Sequence, residues 1–175
     1  MSKTEFLTFL TSRYGVASSS ETLSAATVLG EDYIKYTHPD IGFSLEYPRE
    51  LEVRRFSEKE DAETILFQRA GDEDRARGER LGFQIFITPF DDEWPVITRE
   101  RILRDLPDLK MEDVQEVILG DGTRALIFWT EDPSLGRTRE VWFTSMGIRL
   151  YEITTYEHLD SWLAMILSTW SRNAP

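Results

Sequence analysis

Apolar residues switch between a two-residue and a helical period along this chain, and each switch marks an element. Phe43, Leu45 and Tyr47 alternate with Ser44 and Glu46, which predicts a strand with one apolar and one wet face, halted by Pro48. Just before it, Pro39 biases His38 towards an extended backbone and Gly42 permits a turn, so residues 36–48 read as turn, strand and stop. Residues 51–56 and 64–68 predict two more strands around the charged turn 57–63. Residues 70–80 are almost wholly polar and read as a mobile loop of mixed charge. In residues 81–88, Leu81, Phe83, Ile85 and Ile87 share one face and Phe86 adds an apolar group on the other, a pattern that belongs inside a covered sheet.

The second half repeats the alternation with clear stops. Thr98 is a good cap for a helix carrying Ile102, Leu103 and Leu106 on one side, and Pro107 ends it. Residues 114–119, 123–130, 138–145 and 148–155 then predict an antiparallel meander. Its turns are Gly120-Asp121-Gly122, residues 132–136 and Met146-Gly147. A closing helix is expected over 156–172, entered through Thr154 and Glu157 at capping-box spacing, with Leu159, Trp162, Leu163, Ile166 and Trp170 on one buried stripe. At the other end, Ser2 and Glu5 have capping-box spacing, and Phe6, Leu7, Phe9, Leu10 and Tyr14 give a short amphipathic helix an apolar side. A Ser/Thr/Ala-rich stretch over 16–30 follows, a linker or a weak second helix around Glu21 to Leu29, so the reading is a leader over 1–30 and an α+β domain over 31–175.

Composition narrows the function classes. A chain of 175 residues with 41% hydrophobic and 12% aromatic residues carries one ordinary core. A net charge of -12 argues against a nucleic-acid partner and against docking on an anionic membrane, because phosphate is neutralised by Lys and Arg clusters. The absence of cysteine removes disulfides, thiolate nucleophiles and zinc-thiolate sites. No run approaches the roughly 18 apolar residues that span a bilayer. The chain is expected to be soluble as it stands, in the cytoplasm or outside it after loss of a signal or anchor.

The order of elements, with Tyr36-Thr-His-Pro-Asp-Ile-Gly-Phe-Ser-Leu-Glu-Tyr-Pro48, resembles the PsbP-like domains and the related Ran-binding Mog family. The resemblance spans about residues 36–172 and leaves the leader outside. It implies an antiparallel β-sheet with helices on both faces, an α/β/α sandwich, and a binding or assembly role rather than catalysis. Members include photosystem extrinsic subunits, a small-GTPase partner and bacterial lipoproteins. This chain has no photosystem-specific signature and no lipobox cysteine.

Candidate chemistry is sparse. His38 and His158 are the two histidines, and no Gly-x-Ser-x-Gly elbow presents a serine to either; His38 reads as a partly exposed turn residue and His158 as surface. Asp72, Glu73 and Asp74, and separately Asp91, Asp92 and Glu93, are acid clusters able to offer oxygen to a hard cation. The second is the stiffer because Trp94 and Pro95 follow it, but neither has the ligand spacing of an EF-hand. Glu140 and Glu152 face each other across neighbouring strands, and pairing with Arg139 and Arg149 is the simpler account of both. Of the five tryptophans most belong to the core; Trp142, out of phase with Val141 and Phe143, is placed on the second sheet face. There it is expected to form a partner surface with Phe128 and Arg139. The reading is a non-enzymatic binding or assembly module without a cofactor, taking a protein partner or small ligand. The alternative is a small hydrolase or a cation-dependent enzyme using the acidic loops.

Overall fold

The computed structural model describes residues 28–90, 96–145 and 148–172. The expected leader helix, the 91–95 segment with Asp91, Asp92 and Glu93, and the Met146-Gly147 turn lie outside the described residues.

Seven strands form the main sheet. The chain enters it through β3 (Leu51–Ser57), β4 (Glu63–Arg69) and β5 (Gly82–Pro89), leaves through a crossover that carries helix α1 (Arg99–Asp105), and returns as the meander β6 (Glu112–Ile118), β7 (Arg124–Asp132), β8 (Gly136–Ser145) and β9 (Arg149–Tyr156). Spatial order is β3-β4-β5-β9-β8-β7-β6, all antiparallel, so the meander folds back to close on β5. A second sheet joins β1 (Tyr33–Thr37), β2 (Phe43–Pro48) and β10 (Ser171–Arg172), the last following helix α2 (Asp160–Leu167).

The core lies on one face of the main sheet. Ile65, Phe67, Phe83, Ile85, Ile127, Val141, Phe143 and Ile153 meet Phe43, Leu45 and Tyr47 of β2 and Leu163, Ile166 and Trp170 at the end of the chain. Phe43 stacks on Trp170 with ring centroids 4.6 Å apart, and Tyr151 and Phe143 meet the same indole edge-on. Burial of each large side chain contributes about 1.5 to 3 kcal/mol, so this aromatic knot anchors the small sheet to the large one. Gly120 lets the β6–β7 turn sit against the end of α2; a Cβ there would meet the Trp170 and Ser168 carbonyl oxygens at 2.5 and 2.6 Å. Asp121 finishes the clasp by accepting from the Arg172 backbone and Nε at 3.0 and 3.1 Å.

The strands follow the hydrophobic alternation, and several finer expectations are corrected. β2 has no wet face: Ser44 and Glu46 are buried, because the Glu46 carboxylate accepts the Val28 and Leu29 amides and its own amide donates to Thr169. The closing helix is eight residues long, preceded by the 3-10 turn Glu157–Leu159. β9 runs on to Tyr156, paired with Thr138, so Thr154 sits in the sheet and donates to Glu140 instead of capping a helix. Helices do not cover both faces in equal measure: the first face is shared by the three-stranded sheet and α2, and the second is covered in part, by α1. Residues 70–80 fold into two 3-10 turns around a fully buried Asp72, which accepts from Arg69 and the Leu81 amide and pairs with Arg75. The α1 cap is as expected, Thr98 accepting from the Arg101 amide, but Leu106 lies exposed beyond the helix end.

Candidate functional site

Strand register sets the second face in rows. One row runs Phe56, Thr64, Phe86, Glu152, Trp142, Leu126, and the next runs Arg54, Leu66, Gln84, Thr154, Glu140, Phe128. The two ends of these rows have different neighbours. At the β7–β8 end, Ile102 of α1 with Phe90 and Ile97 buries Phe128 and Trp142, whose rings meet at 5.5 Å. At the β3–β5 end, Leu66 and Phe86 are half-buried, Phe56 is exposed, and none of the three belongs to either core cluster among the described residues.

A groove of about 250 Å³ runs over this open end, floored by Leu66, Gln84, Thr154, Gln68, Gly82 and Tyr156. Gly82 brings no side chain to the floor, and a Cβ there would come within 2.4 Å of the Phe67 carbonyl oxygen. Arg80 and Leu135 stand at its end, beside a second hollow of about 390 Å³ that shares Leu135 and Tyr156 and adds Arg77, Arg137 and His158. Arg80 is held by its own loop, donating from Nε to the Arg75 carbonyl at 3.0 Å and from Nη2 to the Glu73 carbonyl at 3.1 Å, with Nη1 3.4 Å from the Tyr156 hydroxyl.

Two carboxyl groups sit where the open and covered parts meet. Glu140 accepts from the Thr138 hydroxyl at 3.0 Å, the Trp142 indole N–H at 3.1 Å and the Thr154 hydroxyl at 2.8 Å. Burial pushes its carboxyl up, and those three donors only partly offset that. Glu152, diagonal to it on β9, is pushed up to about 7 by burial and then by the charge of Glu140. The two share the face, as expected, but the arginine account is overturned. Alternation along β8 puts Arg139 on the opposite face, where Asp160 takes it at 2.8 and 3.2 Å and its guanidinium lies 3.7 Å from the Trp129 ring. Both carboxyls are thus held above the usual carboxylate range, chiefly by burial.

The other sequence candidates are placed as follows. Trp142 and Phe128 do share the second face, yet both are buried under α1, and Arg139 is buried on the first face, so the three do not form one surface. His38 is buried rather than partly exposed. Its Nδ1 accepts the Asp40 and Ile41 amides at 3.1 and 3.0 Å, which places the proton on Nε2, 2.8 Å from Glu63. Glu63 also binds Arg55, so His38 closes the turn into β2 and has no ring nitrogen left for chemistry. His158 is exposed and donates to the Arg80 carbonyl oxygen. In the first acid cluster Asp72 is committed to arginines. Sequence reasoning missed the groove residues Leu66, Gln68, Gln84, Arg80 and Tyr156; the off-phase Phe86 marked the second face of β5 as apolar but predicted cover there, which the core clusters of the described residues do not supply.

No family model matches the chain, and no curated protein matches it in sequence. Among solved structures it is similar to the cyanobacterial PsbP, CyanoP, of Synechocystis, at 12% identity and a TM-score of 0.49, over 90% of this chain and 99% of that one. It is also similar to a protein of Bacteroides thetaiotaomicron at 11% identity and a TM-score of 0.45, over 82% of this chain and half the length of that protein.

Proposed function

We propose that this chain is a non-enzymatic binding or assembly module, and that its partner lies on the open part of the second sheet face between β3 and β9. The observation that carries this is the uneven covering of one continuous face. α1 closes the β7–β8 end over Phe128 and Trp142, while among the described residues Phe56 is exposed and Leu66 and Phe86 are half-buried beside a ready groove. Trp142 and Phe128 then serve as the rigid floor that ends the surface, with Arg139 bracing the sheet from behind. Among the described residues no helix is long and apolar enough to cross a membrane, so insertion by a helix plays no part in the reading.

The experiment is capture from native lysate with the full chain, with a Leu66→Glu/Phe86→Glu double variant, and with Lys35→Glu on the exposed side of β1. A partner held by the wild type and the Lys35 variant but lost by the double variant supports the surface; retention by all three overturns it. Melting scans with calcium, manganese, magnesium and zinc separate the cation-dependent alternative. The binding module shows no saturable shift, whereas a shift abolished by Asp91→Asn with Asp92→Asn would move the assignment to an enzyme or cation sensor.

A further inference from the structure

The arginines at the end of the groove run against the charge of the whole molecule, and this inference, which rests on the binding surface proposed above, concerns what they hold. In a chain of net charge -12, arginines are expected to be neutralised by neighbours. Most are: Arg69 and Arg75 share Asp72, and Arg137 is shared by Glu112 and Glu157. Among the described residues, neither Arg77 nor Arg80 has a carboxylate within ion-pair distance. Arg80 spends its donors on backbone carbonyls and Tyr156. Arg77 lies over the β7–β8 turn, its Nη1 2.9 Å from where a Cβ on Gly136 would be, and the acid it influences, Asp132, already accepts the Ser134 and Leu135 amides.

We propose that the groove takes a ligand bearing a carboxylate and an apolar segment, the carboxylate at Arg77 and Arg80 and the apolar part over Leu135 and Leu66. A guanidinium held by its own loop offers its remaining N–H groups as a fixed fork, which suits a planar carboxylate. Gln84 and Gln68 on the floor supply both donor and acceptor to amide groups, so the carboxylate arrives either on a peptide or on a small organic acid.

The test is an amide-resolved NMR titration of the full chain with an acetylated Leu-Asp-Leu-Asp-Leu-Asp hexapeptide, with hexanoate and with inorganic phosphate. Saturable shifts at Gln84, Thr154 and Tyr156 are expected with a carboxylate probe, and the tighter of the two identifies the source. Arg77→Glu, which removes a side chain with no hydrogen bond among the described residues, is expected to weaken binding at least tenfold, as is Arg80→Gln. No saturable shift with either carboxylate probe, shifts undiminished in Arg77→Glu, or equal binding of phosphate overturns the inference. Partner capture that still depends on Leu66 and Phe86 would then leave the surface standing and remove only its anion chemistry.

Discussion

At the scale of single residues, the feature with consequences is a carboxyl that keeps its proton. Glu152 titrates at about 7 in the folded chain against 4.5 for the free group, so between those values the folded state binds more protons than the unfolded one. Stability from this group is therefore fullest below about pH 4.5, falls as pH rises towards 7, and is level above. Glu140, raised as well, bends the curve the same way. Glu152→Gln is expected to stabilise the chain by about 1 to 2 kcal/mol at pH 8 and to change little at pH 4, read from urea unfolding at both values. A gain at pH 4 with none at pH 8 would contradict this. Glu63 opposes it at the acid end: burial raises its carboxyl, Arg55 and His38 outweigh that, and the stability it adds is lost as pH drops below its ordinary range. That Glu140 and Glu152 share one face was legible from strand phase, but their register and their partners were not. Phase alone does not say which arginines a helix on the far side, here through Asp160, will claim.

At the scale of elements, alternation and turn residues placed the strands well, because each half-buried strand must show its period whatever it packs against. The closing helix was read too long for an instructive reason. Beyond Leu167 the chain tightens into 3-10-type bonds, Thr169 to Ile166 and Trp170 to Leu167, which carry Trp170 onto the same stripe after the helix has ended. The periodicity was right and the element was not. Since that indole joins β2, β8 and β9, Trp170→Ala is expected to cost about 3 to 5 kcal/mol, measured by denaturant midpoint. A loss under 1 kcal/mol would show that the small sheet is held by something else. Thr98→Ala, which removes the α1 cap alone, should cost about 1 kcal/mol and leave the main core intact.

At the scale of the whole molecule, the defining property is asymmetry between the two faces of one sheet. Among the described residues, the first face is closed by a second sheet and α2; the second is closed over β7 and β8 and open over β3 to β5. The sequence pointed the other way at β5, where Phe86 makes the strand apolar on both sides and so predicts cover on both, whereas among the described residues Phe86 belongs to neither core cluster. What the sequence did not contain was how far α1 would reach, because a seven-residue helix reads the same whether it covers half a face or all of it. The most direct test of the account is deuterium uptake of the full chain, alone and with its captured partner. Protection on binding is predicted in residues 64–68, 82–86 and 152–156, with β1 and α2 unchanged. Protection confined to β1, β10 or α2, with those three stretches exchanging as before, would contradict it.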